Sequence, residues 1–109
     1  MKENITFDDF EKLDIRIGEI KSAERVEGTD KLINCEVDFG EEKRQIVSGL
    51  AEYLEPEEIV GKKLPYVLNL EPRVIRGVES QGMLLAIAGE NFSLLEPSND
   101  GVPAGSKIS

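Results

Sequence analysis

Between Asn69 and Met83 the sequence sets several side chains able to hold a polar ligand close together. Asn69, Arg73, Arg76, Ser80, Gln81 and Met83 bring amide, guanidinium, hydroxyl and thioether groups into one short stretch. Arg73 and Arg76 stand three apart across a Val-Ile step, a spacing that can reach one run of phosphates or stack on bases. Gly77 and Gly82 either let backbone approach a ligand without a Cβ in the way or serve only as turn and bulge residues. Met83 carries the same ambiguity between groove wall and core. Charge sharpens the contrast. The window Lys62 to Met83 holds four basic and two acidic residues, a local balance of +2, leaving −11 on the remainder of a chain whose total is −9. A basic face on an acidic body suits selective anion binding, while the overall charge repels nucleic acid at long range and argues against indiscriminate binding. The plainer alternative is that the four basic residues only solvate a surface.

Catalytic chemistry finds little support. The chain has no His and one Cys, and no nucleophile elbow, Cys/His pair or phosphate-cradling glycine loop. One thiol and no imidazole leave only carboxylates as metal ligands. The pairs Asp8-Asp9 and Glu57-Glu58 sit where helix-start charges belong. Cys35, between Ile33 and Val37 at strand spacing, reads as a small core residue, and alone it can form no internal disulfide. The expectation is a protein without catalytic activity, cofactor or metal. No run of 18 apolar residues and no secretory block are present, so no membrane association and a reducing, cytoplasmic location are expected. Aromatics make up 6% of the chain, too few for a platform of many stacked rings.

The elements that must position these groups are short. At 109 residues the chain is expected to form one domain over 1–109. Thr6, with Asp9 three residues on, opens a short amphipathic helix over 7–12 with Phe7, Phe10 and Leu13 on one face. In "LDIRIGEI" Leu13, Ile15 and Ile17 read as inward, with Gly18 shifting the phase to Ile20 as a bulge would. Ile33, Cys35, Val37 and Phe39 alternate with polar residues as a second strand, which "GEE" turns into a third, "KRQIVSGL". Pro56 starts a one-turn helix, "KLPYVLNL" reads as a fourth strand and "GMLLAIA" as a fifth. The tail from Ser98 reads as irregular chain. Five strands, a helix between the third and fourth and a bulged first strand predict an all-β, five-stranded oligonucleotide/oligosaccharide-binding barrel with short N-terminal and inter-strand helices. Strand pattern alone leaves a sandwich of similar strand count open.

Three segments, "FEKLDIRIGEI", "TDKLINCEVDFGEEKRQIVSGL" and "PEEIVGKKLPYVLNLEPRVIRGVESQGMLLA", together resemble the tRNA-binding domain family. That family includes stand-alone homodimeric tRNA-binding proteins and the C-terminal domain or β chain of methionyl-tRNA synthetases. The resemblance implies a barrel that grips structured tRNA without reading its sequence. It carries a binding role onto Lys31, Arg44, Asn69, Arg73, Arg76, Ser80 and Met83, to which Gln81 is added from its place in the same stretch. It also implies a homodimer joined through terminal extensions, and action in trans beside a methionyl-tRNA synthetase. The Phe7/Phe10 face and Leu94-Leu95 are candidate dimer contacts or core. One departure stands out: Val26 and Glu27 occupy places where the family often has His-Pro, and Glu27 would repel phosphate. The rival is a secretion-associated, peptide-binding chaperone of the same fold, whose members begin with a similar "DDFEKLDIRIG".

Overall fold

The computed structural model describes residues 1–109. Helix α1 (Phe7–Glu11) starts where Thr6 Oγ1 accepts the Asp9 N–H at 3.1 Å, with Asp8 and Asp9 facing the positive end of the helix. The strands are β1 (Ile15–Arg25), β2 (Ile33–Asp38), β3 (Lys43–Ser48), β4 (Lys63–Val67), β5 (Arg73–Ile75), β6 (Val78–Ser80), β7 (Met83–Leu84), β8 (Ala86–Ile87), β9 (Ser93–Leu94) and β10 (Lys107–Ile108). Between β3 and β4 lies the one-turn α2 (Pro56–Ile59), with Pro56 in its first turn and the Glu58 carboxylate accepting the Glu55 N–H at 3.0 Å. Antiparallel pairing in the order β3-β2-β1-β4-β7 makes the five-stranded barrel that the sequence pattern predicts. The β5–β6 hairpin is inserted between β4 and β7, and β8–β9 forms a second small hairpin. No helix is long and apolar enough to cross a membrane.

The first strand departs from the expected phase. Gly18 and Ile20 face the interior, paired with the core residues Leu64 and Val37, while Ile15 and Ile17 lie opposite Val67 and Pro65, outside the core cluster. Gly18 is therefore no bulge. A Cβ there would stand 2.5 Å from the Phe39 ring, so its missing side chain makes room for Phe39, which packs edge-on against Tyr66 at 5.5 Å. The bulge falls at Lys21, where the register shifts between Ile20 and Ser22. It bends β1 so that one half pairs with β4 and the other with β2. The tail is mostly turns and irregular chain, as expected, but it ends in a short strand. β10 pairs with Ile15 and Arg16, and the Gly105 N–H donates to the Ile17 carbonyl at 2.7 Å. Ile15 and Ile17 are apolar because β1 is buried on both faces, which makes it look phase-shifted in the sequence.

The barrel closes where β3 meets the segment between β6 and β7, and side chains do much of the closing. The Gln81 N–H donates to the Gln45 carbonyl at 2.8 Å, and the Gln45 N–H donates back to Gln81 Oε1 at 3.0 Å. One step along, the Val47 N–H donates to Ser80 Oγ at 3.0 Å, and Ser80 Oγ donates to the Gly82 carbonyl at 3.2 Å. Arg44 Nη1 donates to the carbonyls of Leu68 (2.7 Å) and Gln81 (3.2 Å). Gly82 lets the chain come this close, since a Cβ would stand 3.0 Å from Ile46 Cδ1 and 3.2 Å from the Val67 carbonyl oxygen.

Ser80→Ala leaves the buried Val47 N–H without an acceptor and should lower stability by about 1–3 kcal/mol, read as a fall in the urea midpoint. Burial pushes the Cys35 thiol up to about 12 from an ordinary value near 9, and raises Tyr66 as well. The stability gained by keeping Cys35 neutral is whole below pH 9 and is lost as pH rises from 9 toward 12, at up to about 1.4 kcal/mol per pH unit. Urea midpoints should thus hold between pH 7 and 8.5 and fall above 9. Cys35→Ala should begin less stable but decline less steeply between pH 9 and 10.

Candidate nucleic-acid interface

Hairpin β5–β6 presents the two arginines of the basic stretch. Arg73 pairs with Ser80 and Ile75 with Val78, leaving Arg76 and Gly77 as a two-residue turn. Both adopt positive φ, 53° at Arg76 and 79° at Gly77, as tight hairpin turns that match strand twist require. Arg76 is the only non-glycine residue in that region of backbone space, which places its guanidinium at the hairpin tip. Both arginines are exposed, and neither guanidinium makes a hydrogen bond or ion pair within the chain.

That lack of partners sets them apart. Of the 13 lysines and arginines, eight are paired with a carboxylate: Lys12, Arg16, Lys21, Arg25, Lys31, Lys43, Arg44 and Lys62. Lys63 donates to the carbonyls of Asp100 and Val102. Only Lys2, Lys107, Arg73 and Arg76 remain uncompensated, and just the last two share one element. Beside them are exposed apolar groups: Leu70 and Met83 line a small groove of about 80 Å³ together with Arg73, and Val74 (73% exposed) stands outside it on the same hairpin. Met83 therefore lies at a groove edge, paired with Val67 at the end of β4.

The other expected contacts are placed differently. Ser80 is 5% exposed, and its hydroxyl holds the barrel seam. Gln81 is spent on Gln45 in the same seam. Arg44 is half-buried, with its guanidinium bound to two carbonyls and to Glu42 at 2.9 Å. Asn69 Oδ1 accepts the Asp14 N–H at 2.7 Å and Asn69 Nδ2 donates to the Lys12 carbonyl, tying the end of β4 to the start of β1. Lys31 is exposed on the β1–β2 loop, a separate element, and faces Glu52 at 3.9 Å. The residues sequence reasoning missed are Leu70 and Val74. "RVIRGVES" does carry a hairpin signal, a Gly-containing two-residue turn between β-branched runs.

Two of the four uncompensated cations stand together on this hairpin. On a barrel of this class oligonucleotides lie on the face of the second and third strands. Here the outer face of β1–β3 carries Glu19, Glu24, Glu36 and Asp38, with Lys43 at its edge held toward Glu36 at 3.8 Å. That sheet repels a phosphate backbone, and the hairpin beside it attracts one.

A nearly closed five-stranded barrel with a cationic hairpin defines an oligonucleotide-binding module. Residues 15–107 match the family model described as "Putative tRNA binding domain", and the chain belongs to that tRNA-binding domain family. It is 54% identical over 107 residues to a methionine–tRNA ligase of Methanocorpusculum labreanum and 50% identical over 105 residues to that of Caldanaerobacter subterraneus subsp. tengcongensis. These alignments take in 98% and 96% of the chain but only 16% of each ligase. Among solved structures, a MetRS related protein from Pyrococcus horikoshii superposes with a TM-score of 0.89 at 41% identity, covering 99% of this chain and all of that one. A chaperone CsaA from Bacillus anthracis superposes at 0.88 with 32% identity, covering 98% of this chain and all of the other.

Met83→Ala tests the groove-edge placement. At 46% exposure its removal leaves no sealed cavity, so stability should fall by less than about 1 kcal/mol, against 2–5 kcal/mol for a buried methionine. Urea unfolding of the variant reads the difference directly.

Proposed function

We propose that this chain is a non-catalytic tRNA-binding module that engages tRNA by shape and phosphate charge, and that it acts in trans beside a methionyl-tRNA synthetase. The observation that carries the reading is the pair of uncompensated arginines on the β5–β6 hairpin in a chain that pairs most of its other cations. Arg73 and Arg76 take phosphates, Val74, Leu70 and Met83 pack against sugar or a splayed base, and Lys31 adds a contact if tRNA displaces Glu52. Arg44, Asn69, Ser80 and Gln81 act behind them by fixing where the hairpin stands. Family membership supports the ligand class.

Replacing Arg73 and Arg76 with Ala should weaken all tRNAs by a similar factor. It should also shallow the slope of log affinity against log salt by about 1.4, at roughly 0.7 for each phosphate no longer neutralised. A changed preference among tRNAs with an unaltered slope would mean that these arginines read bases.

Two phosphates held per barrel give weak binding, which a second copy would amplify. The N-terminal segment and β10 leave Phe7 (72% exposed), Leu13 and Ile108 uncovered around a cleft of about 540 Å³, and Ile5 (68%) is exposed just before the helix. We assign this patch to a homodimer in which two hairpins contact one tRNA, raising avidity by about 10²-fold or more. Sedimentation at micromolar concentration should report twice the 12.1 kDa chain mass, and Phe7→Asp should return the monomer with its fold intact.

The peptide-binding alternative draws on the acidic body and the CsaA-like architecture. Salt separates the two readings. Affinity for tRNA should fall steeply between 50 and 200 mM salt, on the order of tenfold for two to three neutralised phosphates, whereas binding of an apolar unfolded peptide should hardly change.

A further inference from the structure

The outer face of β1–β3 carries a cleft of about 260 Å³ whose hydrogen-bonding polarity is set by the barrel seam. Gln45 Nε2 donates to the Glu79 main-chain carbonyl at 2.7 Å, and a carbonyl can only accept. This fixes the orientation of the Gln45 amide, so its Oε1 accepts from Asn34 Nδ2 at 3.2 Å. Asn34 Oδ1 is left over. It is shut off from solvent and has no donor, the one buried side-chain polar atom without a partner in the chain. Such an atom costs about as much as a lost hydrogen bond unless something donates to it.

Ser22, Lys43 and Arg44 also line the cleft, but Lys43 faces Glu36 and the Arg44 guanidinium is engaged with Glu42 and two main-chain carbonyls, so the groups left without a partner are mainly acceptors. Glu24, directly across the β1–β2 ladder from Asn34, is exposed and makes no bond, so it is free to turn and admit a donor. Glu36 lies one pair further along, opposite Ser22 and Gln45, with Lys43 at 3.8 Å as its single partner. The two unpartnered acceptors, Glu24 and Asn34 Oδ1, call for a ligand that presents adjacent N–H groups. Guanine is the nucleobase with such an edge: its ring N–H and exocyclic amino group can pair with one carboxylate, whereas the other bases mix donors with acceptors there. A guanidinium side chain offers similar donors. However, the same seam that orients Gln45 carries the uncompensated Arg73 and Arg76 on the adjoining hairpin, and these repel a cationic peptide while attracting a nucleotide's phosphate. We infer that this cleft takes the donor edge of one unpaired guanine in a bound RNA, with Glu24 and Asn34 as the base-contacting residues. The inference rests on the tRNA-binding reading and adds one base preference to an otherwise shape-specific grip.

The test uses the full chain and four RNA stem-loops that share a stem and a uridine loop with one variable nucleotide: guanine, inosine, adenine or cytosine. Wild type should bind the guanine loop at least about fivefold tighter than the other three, inosine included because it lacks the amino group. Glu24→Gln removes a negative charge without breaking any bond in the chain. It should bind all four RNAs slightly tighter yet hold less than about a twofold preference among them. A purely electrostatic role for Glu24 would move all affinities together and keep the ratio, which overturns the inference. Equal wild-type affinities for the four loops overturn it as well, while leaving the RNA-binding reading standing. Failure to bind any of the four, or tRNA, removes both. An arginine-rich peptide that binds wild type and is lost in Glu24→Gln, with no base preference among the RNAs, gives the cleft to a guanidinium instead.

Discussion

Everything on the binding side of this molecule depends on how an open sheet is closed. The strand order β3-β2-β1-β4-β7 leaves β3 with an unpaired edge, and the chain that returns to it from β6 pairs mostly through side chains. An open edge would expose backbone donors and acceptors that invite another strand. Here Ser80, Gln81, Gln45 and Arg44 satisfy those groups within the barrel. The hairpin emerging from this seam is held at its base and free at its tip. Its backbone is thus anchored at the base, while the two arginine side chains stay without partners in the chain.

The same constraint explains the division of labour among the cations. An acidic chain can pair most of its lysines and arginines internally, and this one does. Each pair on the surface contributes little stability, but together they cancel the positive potential everywhere except where a cation lacks a carboxylate within reach. The hairpin carries Glu79 across from Val74 rather than beside Arg76, so its arginines stay unneutralised. The hairpin thus carries uncompensated positive charge beside a sheet whose outer face is acidic.

Much of the fold is legible in the sequence because most strands bury one face. Ile33, Cys35, Val37 and Phe39 alternate cleanly, and their side chains lie in the core. β1 misleads for a physical reason: Ile15 and Ile17 are buried on its outer face, so apolar residues mark both sides and Gly18 looks like a phase change. The tail strand β10 escapes detection because two residues paired to Ile15 and Arg16 leave no periodicity. The candidate site is legible as a location but not as a set of roles. Ser, Gln, Asn and Arg serve a ligand or a seam equally well, and only the tertiary partners of Ser80, Gln81, Asn69 and Arg44 decide between them. Arg73 and Arg76 survive as free groups because nothing acidic folds onto them.

If the RNA-facing surface is the hairpin rather than the acidic sheet, the amide spectrum of the isotopically labelled protein during titration with tRNA tests it most directly. Shifts and broadening should concentrate at residues 70–83, with a secondary set in the loop around Lys31, while amides of β2 shift only near Asn34. Perturbations spread evenly over β1–β3, with residues 73–78 unmoved, would contradict it.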